Sequence, residues 1–194
     1  MPPLKPAQGK LLIAEPTLGD PNFERSVVFL CEHNEHGTFG LVFNQTTNLH
    51  LNDVLKEPVV TNLPLYLGGP VEQNTLHFLH RLSFIEDAVP VGDNLYWSGD
   101  FEQIMSMLNV GKITERDLRF FIGYSGWSAG QLDEELSKNA WIVSDTDASF
   151  IFDTPVDQLW SAVLRKMGGE YRVKSDYLDF WSLGPVEHRP RLFT

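Results

Sequence analysis

The sequence predicts a mixed α/β (α+β) fold built from short strands and a few capped helices. Apolar runs rich in β-branched and aromatic residues recur along the chain between glycine- and proline-containing breaks, as at residues 25–33. Two other segments repeat apolar residues at helical spacing behind a residue that can cap a helix, Asp100 or Asp153. With 194 residues, 42% of them hydrophobic, the chain is long enough for one substantial core, so we expect one domain over residues 1–194.

The charge balance narrows the classes of partner. Fifteen basic against 26 acidic residues give a net charge of −11, which repels nucleic acid at long range and disfavours direct nucleic-acid binding. Basic residues are concentrated near the end of the chain, where scattered charges are typical of a solvated face. They are Arg165, Lys166, Arg172, Lys174, Arg189 and Arg191.

Apolar run lengths and cysteine content predict the cellular compartment. No apolar run approaches the length of a membrane span, and residues 1–10 lack the apolar segment of a signal peptide. The single cysteine, Cys31, cannot form an internal disulfide, which agrees with a reducing compartment. We therefore expect a cytoplasmic protein without a membrane partner.

The first part of the chain predicts three strands. Residues 10–15 form a short strand, and a segment rich in turn-forming residues separates it from a second strand at residues 25–33. Residues 34–37 then make a hairpin into residues 38–44, where Gly40 indicates a bulge or a close backbone approach.

The middle of the chain alternates short elements with breaks. Residues 51–55 predict a short helix, and residues 63–67 lead into a turn at Gly68-Gly69-Pro70. Residues 75–82 and 94–97 predict strands.

Two longer helices are predicted with their caps. Asp100 is the N-cap of the first, with Gln103 at the third helical position and Gly111 at the end. Asp153 or Thr154 caps the second, whose apolar stripe runs over residues 156–167 and stops at Gly168-Gly169. Residues 140–144 and 149–152, which precede this helix, predict two strands.

The most informative stretch is residues 119–136, RFFIGYSGWSAGQLDEEL. A strand at residues 120–124 is followed by a glycine-rich turn containing Gly123, Gly126 and Gly130. A strand, glycines and a helix start can cradle an anion, but they also make an ordinary tight connection. Without a phosphate-binding lysine, the pattern favours the ordinary connection.

The helix that follows this turn carries a strong start signal. With Ser128 as N-cap, Gln131 falls where a capping box needs its second partner. Trp127 and Leu132 occupy the two positions of a hydrophobic staple. The spacing therefore predicts a helix that begins just after Ser128.

Known catalytic and cofactor motifs fail on this stretch. A P-loop requires lysine after its last glycine, but Gly130 is followed by Gln131. The nucleophile elbow requires glycine where Trp127 stands, so Ser125 is interpreted as a turn residue. We assign no catalytic residue and no cofactor.

Two further clusters contain side chains suited to metal binding or catalysis. Cys31, His33 and His36 have metal-ligand chemistry, but a structural zinc site needs four ligands, and a polar hairpin end explains them better. Asp20, Glu24 and Arg25 lie on or beside one loop. The two acids could act as general bases with Arg25 as an anion clamp, or Asp20 could start a turn while Arg25 forms a local ion pair. We assign no metal.

Several segments together resemble one family. They are GKLLIAEPTLGDPNFERSVVFLCEH, GLVFNQTTNLHLNDVL, LGGPV, FIGYSGWSAGQLDEEL and NAWIV, and in this order they are similar to the AlgH/YqgE family of bacterial proteins from about Gly9 to the last helix. The resemblance implies a compact mixed α/β fold with an interwoven β-sheet core and surrounding helices. Members have been called transcriptional regulators, and no biochemical activity is established for them. Ser125 stands where the family commonly has alanine.

These observations predict a non-enzymatic interaction or regulatory protein that favours a protein partner. The alternative is an enzyme or sensor that binds a small anionic metabolite through the glycine-rich turn. The predicted binding surface combines the loop at residues 20–25, the Gly68-Gly69-Pro70 turn and residues 123–131. Its named residues are Asp20, Arg25, Gly68, Gly69, Gly123, Ser125, Gly126, Trp127, Gly130 and Gln131. The same residues could instead serve as demanding turns, with Trp127 fixing a helix start and Arg25 pairing internally.

Overall fold

A computed structural model describes residues 3–182, with side chains described as far as Asp176. Over this range the chain forms ten strands and five α-helices. The strands are β1 (Leu11–Ala14), β2 (Val27–Asn34), β3 (Gly37–Val42), β4 (Thr46–His50), β5 (Pro64–Leu67), β6 (Val71–His80), β7 (Val89–Gly92), β8 (Leu95–Trp97), β9 (Leu118–Ser128) and β10 (Trp141–Ser144). The helices are α1 (Phe101–Asn109), α2 (Gln131–Ser137), α3 (Ala148–Asp153), α4 (Leu159–Met167) and α5 (Gly169–Ser182).

The strands join into one sheet with β9 at its centre. Its main path runs β10-β1-β2-β3-β9-β6-β8-β7, and β5 pairs with both β4 and β9. Every strand pair is antiparallel except β5 with β9. The predicted mixed fold with a sheet core is therefore confirmed.

The pairing partners on the two edges of β9 show how the chain crosses this strand. Strands β5 and β6 both pair with Ile122, so they lie on opposite edges of β9. Strand β3 pairs with residues 125–128, beyond the point where β5 ends. The connection from β5 to β6 must therefore pass across β9, and it does so at Gly68 and Gly69.

Helices cover both faces of this sheet. In β1, Leu11 and Ile13 join the buried cluster that includes α3 and α4, while Leu12 and Ala14 join the cluster that includes α2. This alternation is the period of a strand buried on both faces. A third cluster packs α1 against β6 and β9 through side chains such as Phe120.

The best-capped helix and the hairpin follow the sequence prediction. The Asp100 carboxylate accepts a hydrogen bond from the Gln103 amide at 3.0 Å, which starts α1. In the β2–β3 hairpin the register shifts between Leu30 and Glu32, opposite Gly40. A β-carbon at Gly40 would lie 2.9 Å from the Phe29 carbonyl oxygen, so the expected close approach is present as well as a bulge.

Two predictions near the end of the chain were wrong. Residues 149–152 belong to helix α3, not to a strand, because Asp147 caps it through a 2.9 Å hydrogen bond to the Phe150 amide. A four-residue apolar run fits a strand or a buried helix equally well, so periodicity could not decide. Neither Asp153 nor Thr154 caps α4, since both lie at the end of α3 and α4 begins at Leu159.

Other expectations were met in part. Residues 51–55 give only a 3-10 turn, Leu51–Asp53. Gly168 ends α4 with a φ of 72°, as predicted, but α5 follows it without having been foreseen. Arg189 and Arg191, from the predicted basic end, lie outside the described residues. None of the described helices has the length and apolarity that a membrane crossing requires.

Candidate functional site

The glycine-rich stretch is a strand for most of its length, which corrects the predicted turn. Strand β9 continues to Ser128, and both Gly123 and Gly126 lie inside it. Helix α2 starts at Gln131 behind Gly130, whose φ is 77°. Glycine often marks a break between elements, but within a strand it also permits close contact with another backbone.

The predicted capping box is only half formed. Ser128 is the last residue of β9 and not the N-cap of α2, so the helix begins two residues later than expected. The Gln131 side chain nevertheless accepts a hydrogen bond from the Ser128 amide at 3.0 Å. Trp127 and Leu132 lie in the same buried cluster, as the staple positions required.

Where the chain crosses β9, three glycines and a serine pack backbone against backbone. A β-carbon on Gly68 would lie 2.3 Å from the Gly123 carbonyl oxygen, and one on Gly69 would lie 2.2 Å from the Tyr124 carbonyl oxygen. The Ser125 hydroxyl donates a hydrogen bond to the Gly68 carbonyl at 3.1 Å. We call Gly68, Gly69, Gly123 and Ser125 the crossing; all four are buried.

Trp127 belongs to a second structural cluster. The Glu135 carboxylate accepts hydrogen bonds from the indole nitrogens of Trp127, at 2.9 Å, and Trp141, at 2.7 Å. Its other oxygen accepts from the Gln131 side chain at 3.1 Å. Phe23 packs on both indoles, with ring centroids 6.2 and 5.3 Å away. This cluster ties α2 and the loop at residues 20–25 to β9 and β10.

The loop at residues 20–25 divides between the two faces of the sheet. Phe23 packs in the α2 cluster, whereas the Arg25 guanidinium lies 5.3 Å from the ring centroid of Trp160 on the α4 face. Asp20 accepts a 2.9 Å hydrogen bond from the Asn22 amide, as a turn-starting aspartate does. Arg25 has a φ of 51°, and its carbonyl oxygen accepts from the Asn44 side chain at 2.9 Å.

The three predicted loops are therefore brought together only in part. Gly68 and Gly69 contact Gly123, and Phe23 contacts Trp127, but Arg25 lies on the other face from Trp127. A cleft of about 200 Å³ beside Arg25 is lined by Glu24, Arg25, Asn44, Gln45, Val156, Asp157, Trp160 and Ser161.

A larger cleft opens at the end of β9. It has a volume of about 290 Å³ and is lined by His33, Asn34, Glu35, Gly37, Thr38, Ser128, Gly130, Leu132 and Asp133. We call this group the rim cleft. Glu35 and Asp133 are exposed at its border, and among the residues with described side chains His33 is the one basic residue that lines it.

Sequence reasoning did not identify Glu35 or Asp133. They are separated by almost a hundred residues and meet only because β3 pairs with the last part of β9. The hairpin prediction could have placed Glu35 at a tip, but nothing local points to Asp133.

The possible metal ligands at the hairpin do not converge. Cys31 is buried, and burial raises the pKa of its thiol, with the Glu32 charge adding to the effect. The His33 ring nitrogen Nδ1 lies 2.7 Å from the Thr38 hydroxyl, and His36 is exposed. Among the residues with described side chains, no three His, Cys, Asp or Glu form a metal-binding group.

Comparison with known proteins gives a consistent match. Residues 11–172 match the model of a family described as AlgH-like. A UPF0301 protein of Cytophaga hutchinsonii is 46% identical over 172 residues, covering 88% of this chain and 94% of the relative. A UPF0301 protein of Bacteroides thetaiotaomicron is 40% identical over 173 residues, covering 89% of this chain and 88% of the relative.

Two solved structures share the fold. The crystal structure of protein DIP2367 from Corynebacterium diphtheriae has a TM-score of 0.75 at 26% identity, covering 90% of this chain and 94% of that one. The solution structure of the AlgH protein from Pseudomonas aeruginosa has a TM-score of 0.72 at 30% identity, covering 96% of this chain and all of that one, 100%.

Proposed function

The chain belongs to the AlgH-like family, and from that premise we propose that it is a non-enzymatic interaction protein that binds a basic segment of a protein partner in the rim cleft. The observation that carries the proposal is the cleft itself. It is concave, polar and bordered by two exposed carboxylates, Glu35 and Asp133. A cationic segment would meet complementary charge there, and complementary charge favours specificity and rapid association.

Three further features support a protein partner. The net charge of −11 attracts cationic surfaces and repels nucleic acid. The walls of the cleft come from β2, β3, β9 and α2, so the site sits on rigid elements. The crossing and the Trp127 cluster hold β9 and α2 in place beneath it. The cytoplasm is the compartment we propose, because Cys31 is a buried free thiol.

The test is a capture experiment with charge-matched variants. The wild-type protein and a Glu35→Lys, Asp133→Lys double variant are immobilised separately and incubated with bacterial lysate. The proteins that each captures are quantified by mass spectrometry. We expect the captured partner to fall by about tenfold in this variant, with an unchanged melting temperature, because the cleft charge is reversed.

The control reverses two exposed acids elsewhere, Asp93→Lys and Glu102→Lys, and makes the same change in net charge. An equal loss of captured partner in the two double variants would mean that the net charge of the protein, and not the rim cleft, determines binding. Undiminished capture by the Glu35→Lys, Asp133→Lys variant contradicts the proposal directly. A metabolite that stabilises the protein in a thermal-shift screen and is also turned over would favour an enzyme instead.

A further inference from the structure

Arg119 is a charged residue inside the core. It lies near the start of β9, and only 7% of its surface is exposed. Its guanidinium carbon lies 4.2 Å from the ring centroid of Phe43 and 4.6 Å from that of Tyr66. The guanidinium carbon therefore lies over two aromatic rings.

One edge of the same guanidinium is left without a partner. Nη1 donates to the Phe43 carbonyl oxygen at 3.0 Å, which is its only hydrogen bond within the described residues. Among the described side chains, only the Trp97 indole nitrogen is fully enclosed and also lacks a hydrogen-bond partner. Nε and Nη2 of Arg119 have no hydrogen-bond partner among the described residues, and neither is fully enclosed, so each keeps some contact with solvent. Together they form a fork that matches two oxygens of a carboxylate or phosphate.

Two arginines lie around the ring of Phe152, and Arg119 is the one without a directly paired carboxylate among the described residues. Arg119 lies 5.6 Å and Arg81 5.4 Å from the ring centroid of Phe152. The nearby acid Asp153 is engaged by Arg81 at 3.0 Å, and no carboxylate of the described residues lies within ion-pair distance of Arg119. Burial lowers the pKa of Arg119 to about 10, while the Tyr66 hydroxyl and the Glu115 carboxylate act in the opposite direction. The group therefore remains charged at pH 7.

A buried charge without a counter-ion is costly, and an apolar side chain of similar volume would avoid that cost. We infer that Arg119 anchors a binding site for a small oxyanion, a carboxylate or a phosphate, which Nε and Nη2 hold through paired hydrogen bonds. This site is separate from the rim cleft, because it lies among β9, β5 and α3 and shares no residue with it.

The test compares anions at equal ionic strength. Thermal unfolding is followed in dilute Tris chloride while sodium phosphate, sodium acetate or sodium chloride is added. We expect phosphate or acetate to raise the melting temperature of the wild type saturably by about 3 °C or more beyond chloride. A response to phosphate alone identifies the phosphate class, and a response to acetate identifies the carboxylate class.

The matched variants are Arg119→Met and Arg116→Met, the second at an exposed arginine close by in the sequence. Arg116→Met should keep the wild-type response and Arg119→Met should lose it. No anion-specific rise in the wild type, or an equal rise in Arg119→Met, would overturn the site.

A measurement on the wild type covers the case in which Arg119→Met does not fold. The Nε–H resonance of Arg119 in a proton–nitrogen NMR spectrum should move saturably with the active oxyanion and stay fixed with chloride. A resonance that stays fixed at saturating phosphate and acetate rules out direct binding there.

Discussion

Two parts of the glycine-rich stretch differ in burial. Residues 123–125 pack against Gly68 and Gly69 at the crossing, whereas Trp127 is the only buried residue among residues 126–131. The glycines of the two regions have different environments. A β-carbon on Gly69 would strike the Tyr124 carbonyl oxygen at 2.2 Å, while one on Gly130 would have no neighbour within 4 Å. Close packing therefore requires glycine at position 69, whereas it does not explain the glycine at position 130.

This difference separates the residues of the predicted binding surface. Gly68, Gly69, Gly123 and Ser125 are accounted for by the passage of the chain across β9, a role that needs no ligand. Ser128 and Gly130 line the rim cleft, and both are exposed. The role of the rim cleft in partner binding is a proposal, and the structural role of the crossing can be tested by stability alone.

Replacing a crossing glycine should have the largest effect. Gly69→Ala would place a β-carbon against main-chain atoms at a φ of 154°, and backbone cannot yield as a flexible side chain can. We expect a loss of about 3 kcal/mol or more in the free energy of unfolding, or no folded protein. Urea denaturation measures it, and a loss below about 1 kcal/mol would show that the crossing tolerates a side chain.

Removing the shared carboxylate of the Trp127 cluster should have an intermediate effect. Glu135→Ala leaves the indole nitrogens of Trp127 and Trp141 without their acceptor, and both side chains are only 5% exposed. We expect a loss of about 2 kcal/mol, measured by urea denaturation. Glu134→Ala at the adjacent exposed position is the control and should unfold like the wild type. Equal stability of Glu135→Ala and Glu134→Ala would mean that the cluster does not stabilise the fold.

The smallest effect is expected at Gly126. A β-carbon there would meet only the Tyr124 ring, at 3.3 Å, and a ring edge can move. Alanine also restricts the unfolded chain, which offsets part of any strain. Gly126→Ala should therefore change the free energy of unfolding by less than about 1 kcal/mol. A loss as large as that of Gly69→Ala would remove the distinction between the two regions.

The sequence predicted elements whose signals are local. Helix α1 carries its cap and its apolar face within twelve residues, and the hairpin pairs neighbouring segments. Strand β9 was predicted too short because its glycines looked like breaks. They allow the β5–β6 connection to pass over the strand, and a contact between residues more than fifty positions apart leaves no local signal.

The candidate site was predictable to a similar extent. Of the residues that line the rim cleft, only Gly130 was among the named binding residues, while Ser128 was predicted as a helix cap. Asp20 and Arg25 were predicted from their chemistry, but residues 21–25 form a turn in which Arg25 adopts a φ of 51°, so Phe23 packs on the α2 face while Arg25 lies on the α4 face. Arg119 went unassigned because one arginine beside an aromatic run gives no indication that rings will enclose it.

Native-state hydrogen exchange tests the distinction between the crossing and the rim most directly, within one unmodified molecule. At the crossing, the Gly68 amide donates a hydrogen bond to the Ile122 carbonyl at 2.9 Å. At the rim cleft, the Ser128 amide donates to the Gln131 side chain at 3.0 Å. We predict that the Gly68 amide exchanges only through global unfolding and that the Ser128 amide exchanges at least about 100-fold faster through local opening. A Gly68 amide that exchanges as fast as the Ser128 amide would contradict the account.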